Sequence, residues 1–561
     1  TNGDLQRDIR QKLNATNYEQ GLLVYEADLA TYRDADDQQN EAATLVKLGQ
    51  LYSDAGEYEE ALASLQDALA IWRELADVDN LPTTLRAIAN VYLAQREYAD
   101  ALPWLEEELA LWRDLDIAEK EAEILHLVGD TQGRLGDFPA AIDALTQELA
   151  IWETLDDPIR TAEALHPLGL SYLYAEQYSD AQTTLARELA IRKELGDTSS
   201  QLETILALAE SYAAQKVYDK ALVQYDEALL ILEQLDEPAT QAQVLNDLAE
   251  AHVAAGQTPA AIESYTEALA LWQTVENENA QLRTLTSLAA LEQESGAIGS
   301  AIDHYNAALV FTQAQEDYNT SAKIYDELAA MSLAQQQPND ALTAYSNALT
   351  NWRAVENYAR IVGDLFSQAS IYQDLEQNDQ AIAAYQAAVT AARAGGIRDR
   401  EALALDRMAS LYRQAGDNEQ ALTYFRQALP IYTAVGNTSR AENVTSTIER
   451  LEILVERDRL AQITENGFVE PTEGQTVSGT IAIIGAANHP AFEKWQIDLL
   501  LNQDEGQATF IALRRRPATS ATRLANLDTT RYPNGTHTLR LRVVRSDFNY
   551  DEYFVNITIA N

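Results

Sequence analysis

The chain has 561 residues, contains no cysteine and carries a formal net charge of −48 at pH 7. The lack of cysteine excludes disulfide bonds, zinc–thiolate sites and thiol nucleophiles. A surface this acidic repels phosphate backbones and anionic headgroups, so we expect neither nucleic acid nor bare membrane as a partner. The charge is uneven: residues 466–561 carry nine Lys or Arg and ten Asp or Glu, a net −1, and residues 1–465 carry the remaining −47.

Residues 1–440 divide into eleven blocks of forty residues that align without an insertion. Position 29 of each block is Leu or Val, from Leu29 to Val389 and Leu429, and position 21 is Ala in every block after Gly21. A unit of this size cannot bury its own apolar faces, so neighbouring blocks must stack to form a core. The repeat therefore predicts an all-α solenoid.

Each block predicts two amphipathic helices joined by a tight turn. In block 2, residues 41–80, Leu45, Leu48 and Tyr52 recur at the spacing of one helical face. Gly56 can adopt the positive φ that ends a helix, and glycine recurs at this position in later blocks. A second helix is predicted from Tyr58 to Leu75. Residues 441–465 predict one further helix, which closes the array, and a linker.

The block resembles the tetratricopeptide repeat in its pattern of small and large residues. The matching positions in block 2 are Leu48, Gly49, Tyr52, Ala61, Leu65 and Ala68. The family unit has about 34 residues, so this one resembles an extended form with longer helices. The resemblance implies a right-handed superhelix whose first helices line a concave groove that binds another protein.

Under this resemblance, positions 3, 6, 10 and 13 of each block face the groove. The candidate partner-binding residues are Arg86, Asn90, Glu123, His126, Asp130, Glu163, His166, Glu203, Glu210, Asn246, Glu250, Arg283, Lys323 and Asp326. The stretch from Glu123 to Glu250 is mostly acidic, which favours a partner segment that carries Lys or Arg. The alternative is that these residues form only the solvated face of an acidic protein.

Residues 466–561 predict a separate β domain. Six short apolar or β-branched runs are separated by turn signals: 477–484, 495–501, 509–513, 523–527, 538–544 and 553–559. They predict an antiparallel β-sandwich. The residues from Leu527 to Thr530 and from Asn534 to Leu541 resemble the immunoglobulin-like domains of bacterial cell-surface proteins. This favours an extracellular, cell-surface or periplasmic location over the cytoplasm.

Arg514, Arg515 and Arg516 form the single basic cluster of the sequence, at the end of a predicted strand. One interpretation is a charged strand edge that prevents aggregation. The other is an assembly contact with an acidic solenoid, in the same chain or in a neighbour.

No sequence motif for catalysis or cofactor binding is present, and we expect no enzymatic activity and no cofactor. His126 and His166 occupy equivalent positions in adjacent blocks, too far apart for a shared metal ion, so we expect no metal site. The sequence therefore predicts a non-enzymatic protein–protein interaction scaffold outside the cytoplasm. The alternative is a structural subunit of an extracellular filament, built by head-to-tail contacts between the β domain and a neighbouring solenoid.

Overall fold

The computed structural model describes the backbone from residue 2 and the side chains from residue 18 to residue 561. The chain divides into two compact units, Thr1–Phe311 and Thr312–Asn561. In the described part of the chain, no helix combines the length and apolar character needed to cross a bilayer.

The first unit is built from helices alone. They are α1 (Asn2–Asp34), α2 (Gln38–Ala55), α3 (Tyr58–Leu75), α4 (Asn80–Ala94), α5 (Tyr98–Asp114), α6 (Ala118–Arg134), α7 (Phe138–Thr154), α8 (Pro158–Tyr174), α9 (Tyr178–Leu195), α10 (Thr198–Ala214), α11 (Tyr218–Leu235), α12 (Pro238–Ala254), α13 (Thr258–Thr274), α14 (Glu278–Ser295) and α15 (Ile298–Ala314). The predicted pair of helices per block is confirmed from block 2 onward.

Each turn between helices contains a residue with a positive φ, and these residues recur every twenty positions, as at Gly56 (φ 82°) and Ala76 (φ 52°). At Gly56 the backbone amide donates to the carbonyl of Ser53 over 3.0 Å, and the next amide, of Glu57, donates to the carbonyl of Tyr52 over 2.9 Å. These bonds satisfy carbonyl groups that the helix end leaves free. The same pair of bonds recurs at most of the turns, whichever residue occupies them.

The first block differs from the prediction of two helices, because α1 continues unbroken from Asn2 to Asp34. The turn position that holds Gly56 in block 2 holds Thr16 in block 1. A β-branched residue rarely adopts a positive φ, so the sequence favours continuation of the helix at this point. The described solenoid thus consists of one long helix followed by ten helix pairs and a closing helix.

Close packing of the two helices in a block depends on a small residue at position 9. A Cβ atom added to Gly49 would lie 2.6 Å from Cγ of Leu65, and one added to Gly129 would lie 2.6 Å from Cγ of Leu145. These distances are shorter than a van der Waals contact, so glycine lets the facing leucine approach the helix backbone.

The second unit contains the end of α15, seven further α-helices, the C-terminal strands and three short 3-10 helices, Leu501–Gln503, Glu505–Gln507 and Thr529–Arg531. The helices are α16 (Tyr318–Ala334), α17 (Pro338–Ala354), α18 (Tyr358–Asp374), α19 (Asn378–Ala394), α20 (Arg398–Gln414), α21 (Asn418–Ala434) and α22 (Thr438–Gln462). The strands are β1 (Gly467–Glu470), β2 (Gln475–Val477), β3 (Thr480–Ala487), β4 (Phe492–Leu500), β5 (Ala508–Arg514), β6 (Ala518–Asp528), β7 (Gly535–Arg545) and β8 (Tyr550–Ile559).

The strands form two sheets, one of three strands in the order β1-β3-β6 and one of five in the order β2-β8-β7-β4-β5. Side chains of both sheets, including Ile483, Trp495 and Leu541, form one buried core. The six predicted runs correspond to β3–β8. The predicted antiparallel pairing is confirmed for the other strand pairs, whereas the short strand β2 pairs in parallel with β8. This strand has three residues, Gln475–Val477, too few to show a sequence pattern.

Candidate functional site

Three consecutive repeats bury a glutamate at a position where later repeats have alanine. Glu108, Glu148 and Glu188 lie on α5, α7 and α9, with exposed fractions of 3%, 3% and 0%. They occupy position 28, which is Ala in block 2 and in blocks 6 to 11. A buried carboxylate is costly unless it is paired, so each of these residues requires a nearby donor or cation.

The partner of each buried glutamate is the residue at position 6 of the same block. The Nε atom of Arg86 lies 2.9 Å from Oε2 of Glu108. The Nδ1 atom of His126 lies 3.1 Å from Oε1 of Glu148, and the Nδ1 atom of His166 lies 3.1 Å from Oε2 of Glu188. These three pairs therefore form one structural feature repeated in blocks 3, 4 and 5.

The residue one helical turn after each glutamate also faces it. The indole Nε1 of Trp112 donates to Glu108 over 3.0 Å, and that of Trp152 donates to Glu148 over 3.3 Å. In the third block an arginine replaces the tryptophan, and Nε of Arg192 lies 3.5 Å from Oε1 of Glu188. Each carboxylate is thus held between two helices by groups from both.

These contacts raise the pKa values of His126 and His166. The hydrogen bond to Glu148 raises the pKa of His126 against the effect of burial, and the charges of Glu148, Asp130 and Glu163 raise it further. Burial lowers the pKa of His166, but the bond to Glu188 and the charges of Glu188 and Glu203 outweigh it, so the pKa is raised overall. Both imidazoles therefore keep a proton to higher pH than a free histidine.

A cavity of about 600 Å³ opens beside these pairs, between α4, α6, α8 and α10. The side chains that define it include Arg86, His126, Trp152, Arg160, His166 and Arg192. We call it the histidine cavity. Its wall combines cationic groups, acidic groups and the face of an indole ring.

A second cavity of about 660 Å³ lies along α8, α10, α11 and α12. Its lining includes four carboxylates, Glu203, Glu210, Asp247 and Glu250, and we call it the acidic pocket. Apart from His166, its remaining wall is apolar or aromatic and includes Leu170, Leu206, Tyr218 and Tyr225. The two cavities share His166, Leu170 and Glu203, so they adjoin each other.

Negative charge exceeds positive charge in the lining of the acidic pocket, where four carboxylates face one histidine, His166. Burial raises the pKa of Asp247, and the charges of Glu250 and Glu210 raise it further. Burial and the charges of Asp247, Glu210 and Glu250 raise the pKa of Tyr225 to about 12. Among the described residues, no Lys, Arg or His forms an ion pair with any of the four carboxylates. A cation entering this pocket would therefore relieve the repulsion among them.

Several predicted site residues of the first unit have partners on their own helices. Carboxylate oxygens of Glu123 and Glu163 lie 2.8 Å from Nζ of Lys120 and 2.9 Å from Nη1 of Arg160. Asp130 lies 2.8 Å from Nε of Arg134. These three residues line the histidine cavity with their charges already paired.

Five further predicted residues, including Asp326, lie outside both cavities. Asn90, Arg283 and Lys323 are exposed, and the Oδ1 atom of Asn246 accepts a bond of 3.2 Å from Thr284. Lys323 and Asp326 belong to the second unit. The candidate residues thus do not form one continuous site.

Sequence reasoning missed Glu108, Glu148, Glu188 and Asp247. The first three could have been found, because they replace Ala in three consecutive copies of position 28. Asp247 could not, because position 7 has no consistent residue type in the repeat.

The second unit contains a pair of buried carboxyl groups on α16 and α18. The indole Nε1 of Trp352 donates to Oδ2 of Asp326 over 3.2 Å. Burial and the charge of Asp326 raise the pKa of Asp364 to about 8. Asp364 is therefore mostly protonated at neutral pH and can donate that proton to its neighbour.

The basic cluster also lies in the second unit. Arg514, Arg515 and Arg516 are exposed at the end of β5, an edge strand of the five-stranded sheet. Nη1 of Arg515 lies 4.0 Å from a carboxylate oxygen of Glu493.

Comparison with known sequences and structures bears on the repeats. A family profile described as tetratricopeptide repeat matches residues 80–154, 120–194, 200–274, 240–314 and 364–434, and a second profile of the same description matches residues 42–80. The matches to the first profile together span more than half of the chain, and the chain belongs to the tetratricopeptide repeat family. No curated protein is significantly similar in sequence.

Similar solved structures are found for parts of the solenoid. BtubC (BKLC) from P. vanneervenii is 22% identical, with a TM-score of 0.34 over 39% of this chain and 92% of that chain. Aspartyl phosphate phosphatase F from Bacillus subtilis is 16% identical, with a TM-score of 0.36 over 62% of this chain and 93% of that chain. A Rap protein complexed with competence and sporulation factor is 18% identical, with a TM-score of 0.31 over 63% and 98%.

Proposed function

We propose that this protein is a non-enzymatic scaffold that binds a partner segment carrying Lys or Arg in the acidic pocket. One observation carries the proposal: Glu203, Glu210, Asp247 and Glu250 line one opening, and among the described residues none of them forms an ion pair, with His166 at the border as the cationic neighbour. Tetratricopeptide repeats are protein-interaction units, which supports a protein partner over a small metabolite.

The shape of the acidic pocket suits a long basic side chain. Leu170, Leu206 and Ala251 supply apolar surface for the methylene stem, while the carboxylates accept hydrogen bonds from the charged end. The ring of Tyr225 lies in the same wall and offers a face for cation–π contact. Apolar and acidic surface therefore occur together, as a lysine or arginine requires.

The adjoining histidine cavity extends the binding surface beyond one side chain. Because the two cavities share His166 and Glu203, an extended segment of several residues can lie across both. Arg86, His126 and His166 supply hydrogen-bond donors on that path, which suit the carbonyl groups of an extended peptide. In this arrangement the Lys or Arg side chains of the partner enter the acidic pocket, and its backbone carbonyl groups face the donors of the histidine cavity.

The proposal is tested with a fluorescein-labelled nonapeptide of alternating Arg and Ala, measured by fluorescence anisotropy. The double variant Glu203→Gln/Glu250→Gln should weaken binding about 30- to 900-fold, since two charged contacts are lost and each is worth about 1–2 kcal/mol when partly desolvated. Glu233→Gln removes an exposed carboxylate on α11 outside the pocket and serves as the matched control, with binding close to that of the parent protein.

Two results would overturn the proposal. One is equal binding of a peptide of alternating Glu and Ala, which carries the opposite charge. The other is an equal loss in the Glu233→Gln control and in the double variant, because this would show attraction to the whole acidic surface. Circular dichroism of each variant checks that the helices are intact.

A second candidate function is a subunit of a self-assembling extracellular filament. The exposed cluster of Arg514, Arg515 and Arg516 favours it, since the rest of the chain up to residue 465 carries −47. We further propose an immunoglobulin-like sandwich for residues 466–561 and an extracytoplasmic location. The resemblance of residues 527–541 to domains of bacterial surface proteins supports both proposals. Electron microscopy of the purified protein tests the filament, and particles of one fixed size at high concentration would exclude it.

A further inference from the structure

Strand β5 has one unpaired edge. In the five-stranded sheet it is the terminal strand and pairs with β4 alone. Its other edge meets no strand among the described residues, so its outward backbone groups face solvent. The side chain of Phe510, in the middle of this region, is 59% exposed. An unpaired edge of this kind can pair with another strand.

Charges of opposite sign flank this edge strand. Asp504 and Glu505 precede it, and Arg514, Arg515 and Arg516 end it. All five residues are exposed, and among the described residues neither acidic side chain has a cationic partner. The segment Ala508–Leu513 between them carries no charge and no proline. The strand is therefore acidic at its start, neutral along its length and basic at its end.

We propose that β5 pairs antiparallel with β5 of a second copy of this chain, so that the two five-stranded sheets join across a two-fold axis. Antiparallel pairing places the basic end of each strand beside the acidic start of the other. In the register centred on Phe510, the two Phe510 rings meet at the axis. The strand end at Arg514, with Arg515 after it, then lies towards the 3-10 turn Glu505–Gln507 that precedes β5 of the other copy. The contact uses the same surface on both copies and closes as a dimer.

This arrangement explains features that the other interpretations leave out. A contact between the arginines and the acidic repeats of a neighbour would give no role to Asp504, Glu505 or Phe510. Parallel pairing would place the arginines of the two copies together and is therefore disfavoured. A charge that protects the edge would be most effective in the middle of the strand, where none occurs.

The expected dimer is weak. β5 has seven residues, and its pairing with β4 is irregular between Ile497 and Asp498, which bends the strand and shortens the straight edge. Such a contact buries less than the roughly 1,200 Å² of a stable complex, so we expect dissociation constants in the micromolar range or above. Each copy is strongly acidic, so the measurement needs about 0.15 M salt, where the Debye length is about 8 Å.

Sedimentation equilibrium of the full chain at about 10–300 μM tests the pairing by charge exchange. Arg515→Glu and Glu505→Arg each place like charges together twice per dimer, so each should weaken association at least about tenfold. The double variant Glu505→Arg/Arg515→Glu restores both opposite-charge contacts and should dimerise within about threefold of the parent. Glu505→Arg alone distinguishes pairing of β5 with β5 from a contact between the β domain and the acidic repeats of a neighbour. The added positive charge weakens the first contact and strengthens the second.

A cross-link provides an independent measurement. The chain has no cysteine, so Phe510→Cys introduces a single thiol near the two-fold axis. Mild oxidation should give a covalent dimer of the full chain, because cross-strand Cβ atoms lie about 4.5–5.5 Å apart. Phe554→Cys, at a position on β8 that is 51% exposed, is the control and should stay monomeric at the same concentration.

Each outcome decides the proposal. Dimers that are weakened by both single exchanges, restored by the double exchange and cross-linked at position 510 support it. A monomer at 300 μM, an open series of larger species, stronger association of Glu505→Arg, or a double variant as weak as the singles overturns it. These results are independent of the acidic pocket, which lies in the other compact unit.

Discussion

The imidazole Nδ1 of His126 lies 3.1 Å from a carboxylate oxygen of Glu148, and the two residues stand 22 positions apart in one block. The same separation and the same distance recur in the next block between His166 and Glu188. In both pairs a buried carboxylate on the second helix holds an imidazole of the first helix at the wall of the histidine cavity. Each pair therefore joins the two helices of its block and also places a protonatable imidazole at the wall of the cavity.

Removing the carboxylate should lower the pKa of the histidine it holds. In Glu148→Ala, which introduces the residue that most blocks have at this position, the pKa of His126 should fall, because burial remains and the main stabilising bond is lost. NMR titration of protein labelled with ¹³C at histidine, with six histidines in the chain, measures this directly. Glu188→Ala is the matched control: it should lower the pKa of His166 and leave that of His126 in place. A shift of both histidines in either variant would contradict the pairwise arrangement.

The same raised pKa sets a pH dependence of stability. The pKa of His126 in the folded protein lies above that of the unfolded chain, so its pairing with Glu148 stabilises the fold fully below about pH 6.5. This contribution is lost as the pH rises through the pKa of the folded state. The amide protons of α6 and α7 should therefore exchange faster, relative to His126→Gln, as the pH is raised from 6 to 9. After correction for the intrinsic exchange rate, an unchanged ratio would contradict this.

Binding of a basic peptide should strengthen as the pH rises. Asp247 has a raised pKa, and a bound cation would lower it, so binding releases a proton where this group is partly protonated. Loss of charge from His166, at the border of the acidic pocket, acts in the same direction. The affinity for the Arg–Ala peptide should thus be higher at pH 8.0 than at pH 5.5, measured by fluorescence anisotropy. Asp247→Asn should reduce this difference, whereas Glu233→Gln should keep it. A weaker affinity at pH 8.0 than at pH 5.5 would contradict binding of the basic side chains by the carboxylates of the acidic pocket.

Two glycines of α6 should respond to alanine with opposite signs. A Cβ at position 129 would lie 2.6 Å from Cγ of Leu145, whereas one at position 133 would meet no atom within 4 Å. Gly129→Ala should destabilise the protein by about 0.5–2 kcal/mol, because overpacking exceeds the gain in helix propensity. Gly133→Ala should stabilise it by about 0.5–1 kcal/mol through propensity alone. Thermal unfolding followed by circular dichroism compares the two, and a lower melting temperature for both would contradict the packing account.

The buried carboxyl pair of the second unit predicts a stabilising substitution. The pKa of Asp364 is raised to about 8, so ionisation of this group in the folded state costs free energy at every pH above the pKa of about 3.9 in the unfolded chain. This cost grows from about pH 4 to pH 8 and is constant above. Asp364→Asn removes it and should stabilise α16 and α18 by about 1–3 kcal/mol at pH 8.5, with little effect at pH 4.5.

Hydrogen exchange of the amides in α16 and α18 measures this local stability, since repeats open in parts. Asp340→Asn, which changes an exposed carboxylate on the neighbouring α17, is the control. It should leave the local stability of α16 and α18 unchanged at both pH 4.5 and pH 8.5. Equal stabilisation at both pH values would show that an effect other than ionisation is responsible.

The repeat made the architecture predictable, because positions such as Leu45 and Ala61 recur at buried places in most of the described copies. The exceptions were less predictable for identifiable reasons. In block 1 Thr16 occupies the turn position, and the helix continues through it. This difference rests on one residue, while other positions of block 1 still match the repeat, so the alignment predicted a turn there. The short parallel strand Gln475–Val477 depends on its partner β8, which is distant in sequence.

The candidate site was only partly predictable. His126 and His166 were selected from the geometry of the first helices, and both line the histidine cavity. Their partners Glu148 and Glu188 lie on the second helices, at a position that packs inside the block and was therefore not considered for binding. Asp247 adjoins the predicted Asn246 but faces a different neighbour, since one position along a helix turns the side chain by about 100°.

The positive φ that recurs every twenty residues has a consequence for engineering. Many of these turn positions hold residues other than glycine, such as Asp36, Ala76, Arg96 and Lys216. Each costs roughly 1–2 kcal/mol of backbone strain that glycine would avoid, less the roughly 0.5–1 kcal/mol that glycine loses in the unfolded chain. Because each turn contacts only its own neighbours, the gains from separate turns should add. Glycine substitutions at separate turns should therefore raise the melting temperature of the solenoid additively, without altering a residue of either cavity.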